Sequence, residues 1–405
     1  MKFLRRENSG SSGRMYRGGF DLNQGLMLVC LVILIITVAM PMVMIIYNTF
    51  FYGFTFDWAM FSRVISDPAN VEAMWNTIVI AFWVTITGTV VGVFYAWLIG
   101  RTNIPLKGLM KTLFVIPYMF PPFIGAMAWG LLLSPRSGYI NRLWMQMTGT
   151  RESLMNINSI AGIVFVEVCY YFPFVFLQVV SALERMDPTL EESARISGAN
   201  QFYVIRKITL PLVVPAVAAG AMLILISSLS HFGVPAMLGF SRGIFTLPTK
   251  IYELINRSAG SFEGIRQGAA LSILLVLVVV IALWLQRKIL KAGHYDIIRG
   301  KSMRPMLIQL RKAKFPMLAL CLVSLSVIVL LPLYIIFAVG SLKAYGLPLK
   351  LSNMTLANFD YVLFSSQMAR DSIRNSFVLA ISSGIIAMFV GTMIAYVVVK
   401  VKVRG

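Results

Sequence analysis

Eight runs of apolar residues divide the chain, at about 25–50, 76–100, 108–134, 158–183, 212–238, 268–289, 315–341 and 375–400. Each approaches or exceeds the ~20 residues a helix needs to cross ~30 Å of hydrocarbon. A single segment crosses only as a helix, because every backbone amide must find its partner within the segment. The pattern predicts an all-α, polytopic membrane bundle of about eight transmembrane helices.

Punctuation inside these runs predicts local shape. Pro41, Pro117, Pro121, Pro122, Pro173, Pro211 and Pro215 lie within or beside the spans. Each frees a backbone carbonyl and kinks its helix, which a membrane tolerates where neighbours satisfy the freed group. The third span, with Tyr118-Met119-Phe120-Pro121-Pro122, is expected to be bent. Gly88-x-x-x-Gly92 in the second span lets a neighbouring helix come close.

Composition agrees with immersion in lipid: 58% of residues are hydrophobic and 13% charged. The formal net charge of +20 would point to nucleic acid in a soluble protein. Here the basic residues lie between the apolar runs and no basic stripe with interleaved aromatics occurs, so no nucleic-acid partner is expected. With the N-terminus placed inside, the inner stretches hold twice as many Lys and Arg as the outer ones. That bias predicts an N-in, C-in topology, with membrane lipid as the surrounding partner. About 24 basic, Ser/Gly-rich residues precede the first run, which is too long for a secretory signal. Cys30, Cys169 and Cys321 lie inside apolar runs and read as buried thiols. With only His231 and His294 besides, far apart in sequence, no metal site is assembled.

The chain repeats itself. Asn76-Thr77-Ile78-Val79-Ile80-Ala81 aligns with Asn375-Ser376-Phe377-Val378-Leu379-Ala380 at an offset of 299, and the same offset pairs Gly92 with Gly391 and Arg101 with Lys400. With a shorter intervening loop, Pro41 corresponds to Pro332. This is a parallel repeat. It divides the chain into a tail at 1–24, a six-helix unit at 25–290, a basic linker at 291–314 and two helices of a second unit at 315–405. The sequence reads as a truncated form of a longer two-unit protein.

The most informative loop lies between the fourth and fifth spans. Asp187 is placed to cap a helix, and Pro188 fits its first position. Glu191 and Glu192 fall in the early turns, where the helix dipole favours negative charge. Leu190 and Ala194 share a face, and Gly198 is a natural terminator. A helix this short, outside the bundle, has little of its own to pack against.

The run Glu192-Ser193-Ala194, three residues, Gly198, nine residues, Ile208-x-Leu210-Pro211 resembles the EAA loop of binding-protein-dependent ABC importer permeases, with Ser193 in place of the usual middle Ala. The resemblance implies that the loop is a coupling helix docking on a cytoplasmic ABC ATPase dimer. Glu192, Ser193, Ala194 and Gly198 would lie at that contact, and Ile208, Leu210 and Pro211 would set the entry into the fifth span. Over roughly the first 290 residues, Arg101-Thr102, Ile116-Pro117-Tyr118, Gly138-Tyr139-Ile140-Asn141-Arg142, Phe232-Gly233-Val234-Pro235 and Thr246-Leu247-Pro248-Thr249 resemble the fused ferric-iron-type permeases. Near relatives of those handle thiamine, 2-aminoethylphosphonate and polyamines. Residence in the bacterial inner membrane and delivery of solute by an extracytoplasmic binding protein are implied as well. No phosphate-cradling Gly-x-x-x-x-Gly-Lys-[Ser/Thr] loop occurs, so the chain is expected to hold no cofactor and ATP to be bound by a partner subunit. The chain is expected to be a transporter component and not an enzyme.

Three residues are candidates for the pathway. Glu167 lies within the fourth span, and an intramembrane carboxylate marks a pathway, a paired site or a solvated interface. Tyr118 stands in the bent third span. His231 follows the fifth span's serines, with Ser227 four residues earlier on the same face. The rival from another class is a secondary transporter driven by an ion gradient, which would show inverted repeats and intramembrane acids. This repeat is parallel and acids in the spans are few.

Overall fold

The computed structural model describes residues 22–257, 261–292 and 307–400. Most of the tail at 1–24 and of the linker at 291–314 lies outside these residues. Among them, seven helices are long and apolar enough to cross a membrane, and a bent pair makes an eighth. The helices used below are α1 (Gly25–Phe50), α2 (Pro68–Arg101), α3 (Lys107–Met119), α4 (Pro122–Leu133), α5 (Ile160–Arg185), α6 (Thr189–Ile196), α7 (Gln201–Leu229), α8 (Gly233–Gly239), α9 (Phe262–Ala292), α10 (Arg311–Gly340) and α11 (Gln367–Lys400).

Proline chemistry sets several boundaries. The third span breaks into α3 and α4 at an angle of 89°. Phe120 and Pro121 are extended there, as residues preceding a proline prefer, and Pro122 takes the first position of α4. Three spans carry a π-turn that ends two residues before a proline: Ile35–Ala39 before Pro41, Ile205–Thr209 before Pro211, and Ser326–Leu330 before Pro332. The wider turn accommodates the missing amide and the ring. The first and third of these turns occupy equivalent positions of the repeat. At the offset of 299, α2 maps end for end onto α11, each with 34 residues.

Two spans differ from their apolar runs. The second starts eight residues earlier than expected, because Asp67 accepts from the Ala69 amide at 2.8 Å and Pro68 fits the first turn. The fifth, expected at 212–238, instead runs from Gln201 to Leu229 and stops. Asn200 starts it by accepting from the Tyr203 amide at 2.8 Å. The chain breaks at Ser230–Phe232, and Pro235 sits in the first turn of a separate helix, α8, where its lack of an amide costs nothing.

Contacts divide the chain into two units, Met1–Met44 with Asp360–Gly405, and Ile45–Phe359. In the first, Cys30 of α1 is buried with Met393 and Val397 of α11. The rest of α11 is largely exposed, including Asn375 and Ser376.

In the second, α2, α5 and α7 pack on one another. Val175 of α5 is the wedge between them. A Cβ at Gly92 of α2 would lie 2.8 Å from the Val175 Cβ, and one at Gly220 of α7 would lie 2.5 Å from its Cα. Phe114 stacks its ring among Tyr95, Phe172 and Phe176 at centroid distances of 4.4, 5.9 and 5.6 Å. The Tyr95 hydroxyl reaches Ser324 of α10 at 2.5 Å. A second cluster joins Met60, Phe61 and Val64 to Leu247, Ala270 and Leu271. Arg266, 3% exposed, crosses its edge to Asp57 at 3.0 Å and to the Asn48 carbonyl at 3.2 Å. The Met60 amide and Arg266 together hold the Asp57 carboxyl below the usual carboxylate range.

The glycine contacts generate a matched comparison. Gly92→Val and Gly220→Val press a side chain against the backbone and Cβ of α5, which cannot swing away, and each should cost about 1–3 kcal/mol. Gly391→Val, at the repeat position equivalent to Gly92, meets nothing within 4 Å and should stay within about 0.5 kcal/mol of the parent. Thermal unfolding of the detergent-solubilised chain measures both. Equal losses at Gly92 and Gly391 would contradict the packing described.

Candidate functional site

The loop between α5 and α7 is built from side chains that satisfy their own backbone. Asp187 Oδ1 accepts from the Thr189 amide at 2.9 Å and from its hydroxyl at 2.8 Å, which starts α6. Those two bonds hold the Asp187 carboxyl below the usual carboxylate range. Gly198 ends α6 with φ +86°, where the Ala199 amide reaches back to the Ala194 carbonyl at 3.0 Å. Asn200 then opens α7.

One acid of this helix faces inward. Glu191, 8% exposed, meets Arg101 of α2, 2% exposed, through two bonds: Nη2 to Oε1 at 2.9 Å and Nη1 to Oε2 at 3.3 Å. Thr209 of α7 donates its hydroxyl to Glu191 Oε1 at 2.5 Å. Arg101 Nη2 also lies 3.4 Å from the Met186 sulfur. A planar guanidinium matched to a carboxylate is the strong form of this contact. It ties together the end of α2, the first turn of α6 and the π-turn of α7. A small cleft beside it is lined by Trp97, Arg195, Gln201 and Ile308.

The opposite face of the loop is open. Glu192 and Ser193 are exposed, Ala194 is half-buried, and Ile196 is 88% exposed. Phe202 and Tyr203, just past the glycine, are 70% and 53% exposed. Of the residues at the start of the fifth span, Ile208 is half-buried, while Leu210 and Pro211 are exposed. Sequence reasoning put Glu192 at the contact, gave Glu191 only a place near the helix dipole and Arg101 only a place in the repeat and the family motif, and gave Thr209 no role; it did not bring the three together. Thr209 is the unspecified letter between Ile208 and Leu210. The one available signal was Arg101, a cation closing a long apolar helix.

The three pathway candidates fall along one seam. Glu167 is completely buried, and its partner is Ser228 of α7, whose hydroxyl donates to Oε2 at 2.5 Å. The Tyr171 hydroxyl, one turn along α5, hydrogen-bonds His231 Nδ1 at 2.5 Å. Tyr118 is 51% exposed and packs on Phe174, which in turn packs on Tyr171. Glu167 Oε1 and His231 Nε2 have no protein partner among the described residues.

Other motif letters prove to be braces. Asn141, fully buried, donates to the carbonyls of Leu133, Ser134 and Met155 at 2.8, 3.1 and 2.9 Å and so closes the loop after α4. Thr77 of α2 accepts from the Leu247 amide at 2.8 Å, and Asn76 donates to the Phe245 carbonyl at 3.1 Å. The free cysteines are all buried, as their apolar surroundings predicted.

Long apolar helices, one of them broken at paired prolines, with a short capped helix held by a buried ion pair, make a polytopic membrane fold. Residues 88–292 match the binding-protein-dependent transport system inner membrane component family, and the chain belongs to it. It is 26% identical over 387 residues to the putative ferric transport system permease protein FbpB 1 of Haemophilus influenzae, covering 93% of this chain and 59% of that protein. It is 26% identical to the spermidine/putrescine permease PotB of Salmonella typhimurium (65% and 93% covered) and 32% identical to the molybdenum permease ModB of Escherichia coli K12 (48% and 84%). A chain of a bacterial alginate ABC transporter, solved with an alginate-bound periplasmic protein, shares the fold, with a TM-score of 0.55 at 20% identity over 66% of this chain and 95% of that one. This chain spans between half and three-fifths of the first curated relatives it matches.

Gly198 offers a test of the loop's build. Its φ is left-handed and a Cβ there meets nothing, so Gly198→Ala should act on the backbone alone and cost about 1 kcal/mol. Amide exchange over residues 194–199 should accelerate roughly fivefold, with α5 unaffected. Unchanged exchange would show that the turn does not need glycine.

Proposed function

We propose that the chain is the membrane-spanning part of an ATP-driven solute importer, and that α6 is its contact for a cytoplasmic ATPase dimer. The observation that carries this reading is the two-sidedness of the loop. One face is fastened to the bundle through Glu191, and the other presents Glu192, Ile196, Phe202 and Tyr203 outward. Large apolar side chains grouped on a polar, otherwise exposed loop mark an interaction surface. Their position matches the family's coupling loop in the spacing of Glu192, Ala194, Gly198, Ile208, Leu210 and Pro211. With the N-terminus inside, as the basic-residue bias favours, this loop faces the cytoplasm. Solute is delivered from the other side by an extracytoplasmic binding protein, and ATP binding in the partner drives the spans between inward- and outward-open arrangements.

Ferric iron is the proposed solute, because the ferric relative covers 93% of this chain whereas PotB and ModB cover 65% and 48%. Spermidine is the alternative. In a strain whose copy is deleted, uptake of labelled ferric iron should fail while spermidine and molybdate uptake persist. The reverse pattern would overturn the assignment.

The coupling surface has its own test. Glu192→Lys reverses charge in the first turns of α6, against the dipole, and Ile196→Asp places a carboxylate in the apolar patch. Losing one central contact costs about 2 kcal/mol, so ATPase retention on co-purification should fall roughly tenfold or more. Membrane abundance should stay at the parental level. Variants that keep the ATPase and transport normally would remove α6 as the coupling element.

A further inference from the structure

The face of α6 turned away from the proposed ATPase contact ends in Glu191, and both hydrogen-bond partners of its side chain among the described residues, Arg101 and Thr209, belong to spans. Arg101 grips it with both terminal nitrogens, and Thr209 grips the same carboxylate from the π-turn of α7. Such a wide turn interrupts the regular ladder and is where a helix yields most easily. The backbone carrying Arg101 is itself pinned. The Ile308 amide donates to the Arg101 carbonyl at 2.8 Å, and the Asn103 amide to the Ile308 carbonyl at 3.2 Å. Asn103 also binds Gln309 Oε1 at 2.7 Å through its Nδ2 and accepts from the Leu310 amide at 2.8 Å. The segment that opens α10 is therefore fastened to the same turn.

We propose that Arg101 is the positioning residue of the coupling helix: its two-pronged grip on Glu191 makes α6, the end of α2 and the π-turn of α7 move as one piece. A displacement of α6 is then delivered to two spans at once, and through Asn103 and Ile308 to the start of α10. This rests on the reading that α6 meets the ATPase. It assigns a different role to a different face: Glu192 and Ile196 make the contact, and Arg101 makes the contact count.

The test uses the assembled transporter with spin labels at Ser197→Cys at the end of α6 and Leu109→Cys on α3, both exposed, the native cysteines being buried. Arg101→Gln and Glu191→Gln should broaden the distance distribution between the labels. They should also lower the solute moved per ATP hydrolysed about fivefold or more, with the ATPase still bound. Exchanging the pair, Arg101→Glu with Glu191→Arg, should narrow the distribution and raise the ratio again. A parental width and ratio in the Gln variants, or an exchange variant as defective as the single ones, would overturn the proposal. Should the Gln variants fail to insert, Arg101→Lys keeps the charge, loses the fork and is expected to broaden the distribution; a parental width would overturn the proposal equally. Ile196→Asp separates the two readings. Loss of the ATPase with a narrow distribution supports both. Retention of the ATPase overturns the docking reading, while the width in the Arg101 variants still decides the role of Arg101.

Discussion

The closeness with which three helices pass around Val175 is the constraint on which the rest depends. Lipid tails are as apolar as leucine, so helices in a membrane gain little from mere association and must gain from contact. Gly92 on one side and Gly220 on the other let α2 and α7 lie against α5 around Val175, with no side chain of their own at the contact. Once the three axes are fixed there, their far ends are fixed too. At one end Arg101, Glu191 and Thr209 arrive within hydrogen-bonding reach, although 90 and 18 residues separate the acid from its two partners. Along the same interface Glu167 meets Ser228, and Tyr171 meets His231.

The ion pair is expensive and therefore informative. Withdrawing two charges from water costs several kcal/mol for each ion, and only good geometry with additional hydrogen bonds offsets it. Here both carboxylate oxygens are engaged and one accepts a third bond from Thr209. Such a pair adds little net stability, but breaking it from one side leaves a buried charge alone. Its effect is to allow one orientation of α6. Glu191 and Glu192 are neighbours on a helix, so they point about 100° apart. Anchoring the first necessarily turns the second outward, together with Ile196 just over one turn further on.

Much of this could be read from the chain. Apolar runs announce themselves because lipid imposes length and composition together, and the paired prolines at 121 and 122 announced the break in the third span. The left-handed turn at Gly198 was legible because few other residues adopt it. Long-range partners were not legible. Nothing local in Arg101 says that it faces an acid 90 positions away, and nothing in Asn141 says that it closes a loop on three carbonyls. The end of the fifth span was misplaced because Gly233–Leu238 is apolar enough to prolong the run, whereas Pro235 makes it a separate helix. Ser227 was placed on one face with His231 on the assumption of a continuous helix, which the break at Ser230–Phe232 removes, and the contact of Ser228 with Glu167 had no local signal. The repeat, by contrast, was strong enough that α2 and α11 share both boundaries.

A loop fastened on one face and open on the other, in a chain of the transport family, supports the proposal that the open face of α6 meets an ATPase. A photo-reactive amino acid placed at Ile196, 88% exposed, tests it directly. Illumination of membranes containing the assembled transporter should yield a covalent adduct between the permease and the ATPase, and the same group at Leu285 of α9, 47% exposed, should yield none. No adduct from Ile196, or equal yields from both positions, would contradict the account.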